Sequence, residues 1–161
     1  MDFVDSLGTS FLAHRLRRLS DHVVDQVAAN FSRAGLAVPA RSVSTLHYLR
    51  ENGPTGPVEL GKALKFSHPL MVRSLRNLEG LGLVEAVADE SDQRRRRVQL
   101  TAVGQREAEK SFAMIRAFTD EMERKAAEAG VDVTEFARQL EVMTKLFTGG
   151  KIGAGESERV R

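Results

Sequence analysis

Apolar residues recur every three or four positions from residue 12 onward, at Leu12, Leu16, Leu19, Val23 and Val27, with charged residues between them. That spacing predicts a helix with one apolar stripe, which Phe31 extends. Ala34-Gly35 marks its end, because glycine adopts the left-handed conformation of a helix C-cap. Pro39 suits the opening of a second helix over about residues 40–51, with Val43, Leu46 and Leu49 facing inward. The stretch ENGPTGP, with two glycines and two prolines, then breaks the pattern.

Two short helical segments follow. Residues 58–66, VELGKALKF, carry Val58, Leu60, Ala63 and Leu64 with the small Gly61 among them. Ser67 is an N-cap for the next helix, and Pro69 sits in its first turn, where a missing amide costs nothing. Met71, Leu75 and Leu78 form its buried stripe, and Gly80 or Gly82 ends it. The join between these helices is too short for a flexible loop, so their axes must cross steeply as a helix-turn-helix. LVEAVA (83–88) and RRVQL (96–100) read as strands joined by the tip DESDQRR. A two-stranded hairpin is marginal alone in water, so it must lean on the helices. Thr101 caps a long helix running to about Ala129, with Ala108, Phe112, Ile115, Met122 and Ala126 inward. A last helix starts after Asp132 or Thr134, with Phe136, Leu140, Met143 and Phe147 in one stripe.

The predicted class is mainly α (α+β): a winged helix-turn-helix with a two-stranded wing, flanked by N- and C-terminal dimerisation helices. The expected boundaries are 1–36 for the N-terminal dimerisation helix and 37–101 for the winged DNA-binding domain. Residues 102–148 form the C-terminal dimerisation helices, and 149–161 a flexible, glycine-rich polar tail.

Charge placement gives this frame a function class. The 161 residues carry a formal net charge of only +2. The cations cluster, however, at HRLRRL (14–19), VRSLRN (72–77) and RRRR (94–97). A helix fits the major groove of B-DNA, about 12 Å wide, and a hairpin tip beside it reaches the adjacent backbone or minor groove. Arginine suits that tip, because its fork donates to phosphates and base edges and a narrow minor groove concentrates negative potential. Asp92, two residues before Arg94, can orient its guanidinium through a charge-assisted hydrogen bond. The partner read from this pattern is double-stranded DNA.

The same segments resemble the MarR-type transcriptional regulators. Their wing pattern D-x-x-D-x-R, then a strand and L-T-x-x-G, is matched by Asp89, Asp92, Arg94, Leu100, Thr101 and Gly104. Their recognition-helix pattern is matched by Ser67, Pro69, Arg73, Leu78, Glu79, Gly82, Leu83 and Val84, with Met71 and Leu75 replacing valines. The preceding helix matches at Leu60, Gly61 and Leu64. The resemblance spans residues 10 to about 148 in element order and is specific over 58–104. Leu70 and Val72 stand where the family often has threonines, which favours apolar contact with thymine methyls over hydroxyl-to-base bonds.

The DNA-contacting set is therefore Ser67, His68, Pro69, Leu70, Val72, Arg73 and Arg76 on the recognition helix, with Asp92, Arg94, Arg95 and Arg96 on the wing. Arg94 is placed in the minor groove; Arg95, Arg96 and Arg97 are backbone contacts or strand surface. Ser67 contacts a phosphate, caps its helix, or does both. The end helices carry apolar stripes that residues 37–101 cannot cover, which predicts a homodimer whose two recognition helices meet a pseudo-palindrome. The resemblance further implies a repressor released by a small-molecule ligand. His14 and His22 either line a cleft between the lobes or are ordinary, partly buried histidines.

Other chemistry finds little footing. There is no cysteine, so disulfides, thiolate metal sites and thiol redox switches are excluded. His14, His22, His47 and His68 form no H-E-x-x-H motif, and no triad, phosphate loop or dinucleotide fingerprint is present. Neither an enzyme nor a cofactor is expected. The start MDFVDSLGTSF lacks signal-peptide character, and no stretch approaches the roughly 20 apolar residues of a membrane span. The expectation is a cytoplasmic protein that does not meet a membrane. The other readings are a winged-helix protein–protein interaction module and a non-specific DNA-binding protein.

Overall fold

The computed structural model describes residues 3–88 and 96–149. These fall into two compact units that divide between Ala117 and Phe118. The first unit opens with a short helix α1 (Phe3–Ser6) and a 3-10 turn (Gly8–Phe11). Helix α2 (Leu12–Arg33) follows, then a 3-10 turn (Ala40–Ser42) and α3 (Val43–Asn52). Helices α4 (Pro57–Leu64) and α5 (His68–Gly80) form the helix-turn-helix. Strands β1 (Val84–Ala88) and β2 (Arg96–Leu100) form the wing. Helix α6 (Ala102–Glu128) begins in the first unit, and α7 (Val133–Gly149) lies in the second.

The core of the first unit is aliphatic. Leu46 of α3, Leu60 of α4, Met71 and Leu78 of α5, and Leu83 ahead of β1 are all fully buried. Burying each such side chain contributes about 1.5–3 kcal/mol, so these positions hold three helices and the wing base together. The turn between α4 and α5 is tight. Lys65 takes the left-handed conformation (φ 56°), and the Phe66 amide donates back to the Gly61 carbonyl at 2.9 Å. A Cβ on residue 61 would stand 3.3 Å from the Phe66 carbonyl oxygen, so only a very small residue fits there.

The wing pairs antiparallel with Val84 opposite Leu100 and Ala88 opposite Arg96. The stretch ENGPTGP does more than end α3. Thr55 exchanges both backbone hydrogen bonds with Val98, at 3.0 and 2.9 Å, and so lays a one-residue third strand against β2. Val84 and Val98 are buried, which is how the hairpin leans on the helices.

Thr101 locks the wing to α6. Its hydroxyl donates to the Gly82 carbonyl (2.7 Å) and accepts from the Gly104 amide (3.0 Å), capping the helix. Its own amide donates to the Leu83 carbonyl at 3.1 Å. The chain passes so close that a Cβ on residue 104 would lie 1.8 Å from the Leu83 carbonyl oxygen. Further along α6, the Glu107 carboxylate accepts from the amides of Ala37 (2.9 Å) and Val38 (2.7 Å) in the connection after α2. Phe112 stacks on His47 of α3, with ring centroids 4.1 Å apart. Asp132 caps α7 by accepting from the Glu135 amide at 3.0 Å.

Several apolar positions of the helical stripes face outward. Of the α2 stripe, Val27 and Phe31 are buried and Leu16 and Val23 half-buried, but Leu12 and Leu19 are exposed. In the second unit Phe136, Met143 and Phe147 of α7 are exposed, the last at 63%, and only Leu140 is half-buried. On α4, Val58 is 59% exposed, and Ala63 is exposed too. Helix α4 spans only eight residues, and Leu60 and Gly61 fill the contact it makes. The expected tail, residues 150–161, lies outside the described residues.

We expect Gly104→Ala to cost about 3 kcal/mol or more, because its methyl must displace backbone rather than a flexible side chain. Gly82→Ala places a Cβ in open space at φ 68°, so it should cost only about 1–2 kcal/mol. Urea denaturation of the two variants checks this order, and equal losses would count against the close-approach lock.

Candidate nucleic-acid interface

Helix α5 exposes one side because the other is committed to the core. Met71, Leu75 and Leu78 are buried, and at about 100° per residue Pro69, Arg73 and Arg76 point the opposite way. Pro69, Arg73 and Arg76 are all exposed, as are Ser67 and His68 at the helix start. Leu70, also on the outer side, is 49% exposed. Val72 is half-buried at the margin, so less of it is available than of Leu70.

The helix start leaves backbone donors open. The first intrahelical bond runs from the Met71 amide to the Ser67 carbonyl at 3.0 Å. The amides before it have no partner within the helix, and they point out of its N-terminus, where an anion is favoured. Ser67 holds the N-cap position with an extended backbone (φ −64°, ψ 151°), but its side chain makes no capping hydrogen bond. The capping role expected from sequence is therefore corrected, and the hydroxyl stays exposed. Ser74, one turn after Leu70, meets Ser42 at 3.3 Å and ties the middle of α5 to the start of α3.

On the wing, Arg96 is exposed at the start of β2 and Arg97 is half-buried. Asp92, Arg94 and Arg95 lie outside the described residues. His14 and His22 are both exposed on α2. The reading of them as partly buried does not hold within the single chain. No cluster of potential metal-ligating side chains occurs among the described residues, and none of their helices is long and apolar enough to cross a membrane.

Beside the wing the structure brings together residues that the sequence reading kept apart. Pro57, Val58 and Lys62 of α4 face Arg96 and Arg97 of β2 across an open groove of about 680 Å³. Thr55, paired with Val98, lies just ahead of this end of α4.

Residues 34–95 match the model of the MarR family. Solved structures align with most of the chain. A DNA complex of MepR from S. aureus is 23% identical, covering 86% of this chain and 96% of its own, with a TM-score of 0.65. The transcriptional repressor CouR bound to a 23-mer DNA duplex is 19% identical, covering 86% of this chain and 96% of its own, with a TM-score of 0.71. A probable transcriptional regulator from Pseudomonas aeruginosa is 25% identical, covering 85% of this chain and 97% of its own, with a TM-score of 0.61. No curated protein matches the chain. Residues 34–95 thus resemble the MarR family, and the chain shares the winged-helix fold of these solved structures.

Proposed function

We propose that this chain is a sequence-specific DNA-binding transcriptional regulator of the MarR type. It acts as a homodimeric repressor on a pseudo-palindromic operator and is released by a small-molecule effector. The observation that carries the reading is the outer side of α5, where Arg73, Arg76, His68 and Leu70 stand exposed behind an open helix N-terminus. That combination suits a helix lying in a major groove, with phosphates at its start and base edges along it. Leu70 offers an apolar surface for a thymine methyl. The wing adds Arg96 and Arg95 as backbone contacts, and Arg94 of the adjoining tip, aimed by Asp92, as the minor-groove contact. Two of the neighbours are bound to DNA by their own descriptions, which supports the same use of this fold.

Residues 1–36 and 102–148 are proposed as the dimerisation helices and 37–101 as the DNA-binding domain. The exposed apolar residues support this. Phe3, Phe11, Leu12 and Leu19 near the N-terminus, and Phe136, Val142, Met143, Leu146 and Phe147 of α7, are uncovered in a single chain. A second copy that covers them gives two recognition helices about one DNA turn, roughly 34 Å, apart.

Arg73→Ala and Arg94→Ala should each weaken operator binding by about 1–3 kcal/mol without unfolding the protein; unchanged affinity in a fluorescence titration would remove that residue from the interface. Ser67→Ala should weaken DNA binding while changing the unfolding free energy by less than about 0.5 kcal/mol, since no cap bond is lost. A larger stability loss would mean that the hydroxyl caps the helix after all. Leu146→Asp with Phe147→Asp should turn the dimer into monomers by analytical ultracentrifugation and abolish operator binding. A wild-type protein that sediments as a monomer, or that binds operator and random duplexes equally at matched salt, overturns the proposal.

A further inference from the structure

Every positive φ among the described residues but one belongs to a glycine: Gly8, Gly35, Gly53, Gly82 and Gly130. Helices α2, α3, α5 and α6 each leave through such a glycine within two residues of their ends. Helix α4 does not. It ends on Lys65, at φ 56° and ψ 32°, in the turn before α5. In that left-handed conformation the lysine Cβ crowds the following carbonyl oxygen, a clash that glycine avoids. The turn itself does not ask for a lysine. Its closing hydrogen bond runs from the Phe66 amide to the Gly61 carbonyl, and Gly61 supplies the close approach. The core does not ask for one either, because the Lys65 side chain is exposed. Its ammonium has no ion-pair partner among the described residues.

A cation near the end of α4 meets the negative end of the helix dipole, but Lys62 already stands in that last turn. What position 65 adds is its place along the chain. It comes two residues before Ser67, which opens α5, so their Cα atoms lie within about 7 Å of each other. An exposed ammonium on a flexible stem stands there beside the end of α5 that the DNA-binding reading gives to phosphates. Lys62 faces Arg96 and Arg97 across the groove beside the wing instead. The two lysines of α4 therefore serve different surfaces, and only Lys65 occupies a backbone position that disfavours it.

We propose that Lys65 contacts a phosphate of the duplex backbone, and that its charge is what keeps a lysine in a conformation suited to glycine. The contact rests on the DNA-binding reading; the conformational cost does not. Position 65 thus trades stability for affinity, and a glycine there gives a firmer fold and a weaker DNA binder. A lysine on a phosphate carries no sequence information, so a duplex of any sequence reports the contact.

The test pairs urea denaturation with titration of a fluorescein-labelled duplex of random sequence at salt concentrations between about 50 and 200 mM. In Lys65→Gly the ratio of folded to unfolded protein should rise about two- to fivefold, because relief of the clash outweighs the extra freedom of glycine in the unfolded chain. Lys65→Gln keeps the backbone constraint and loses the charge, so its stability should stay at the wild-type level. Both variants should lower the slope of log affinity against log salt by about 0.9 for each bound protomer. Lys65→Arg should restore the wild-type slope. A wild-type slope in Lys65→Gln overturns the contact. If Lys65→Gln instead loses stability and keeps its slope, the charge serves the dipole of α4 and the proposal falls. A Lys65→Gly protein no more stable than wild type overturns the trade. Wild-type protein that binds no duplex overturns the DNA-binding reading and this contact with it. Wild-type binding with an unchanged slope in Lys65→Gln removes Lys65 alone and leaves that reading standing.

Discussion

Burial of one side of α5 is the constraint on which the rest depends. Met71, Leu75 and Leu78 share the core with Leu46 and Leu60, and none can turn outward without exposing a large apolar side chain. The helix therefore has a single rotational setting. That setting, rather than any property of arginine, puts Arg73 and Arg76 on the surface together with Leu70. A helix free to roll would present a mixture of faces and read nothing. The tight turn at Gly61, Lys65 and Phe66 fixes the axis in the same way, because the chain has no slack between α4 and α5.

The wing is positioned by backbone and small residues. Thr101 spends its hydroxyl on both Gly82 and Gly104, and Gly104 lets α6 start against the Leu83 carbonyl. Thr55 closes the outer edge of β2 at one point only. A hairpin of five-residue strands is too small to hold its own direction. These few contacts set where its arginines stand. Among the described residues nothing else bridges that edge, and the groove lined by Arg96 lies beside it. Glu107, accepting from Ala37 and Val38, gives the chain after α2 a comparable anchor on α6.

The uncovered apolar residues follow a different logic. Leu12 and Leu19 on α2 and Phe147 on α7 keep helical spacing, yet within one chain they meet solvent. Periodicity reports that a helix has an apolar side, and it does not report what covers that side. The sequence reading placed these positions on end helices whose apolar stripes residues 37–101 cannot cover.

The helices and strands were legible because each announces itself locally. Glycine ends α2, and the 3.6-residue spacing marks α5; paired β-formers flank a polar tip, and Thr101 and Asp132 cap the helices after them. The outward residues of α5 followed from its inward stripe by subtraction. What the sequence could not contain was every feature made by residues far apart along the chain. Those are the pairing of Thr55 with Val98, the approach of Gly104 to Leu83, and the meeting of Lys62 with Arg96. Local signals reflect the preferences of a few neighbouring residues. Which surfaces then face each other is decided by packing, where one hydrogen-bonded residue or one missing methyl sets a distance that no spacing rule encodes.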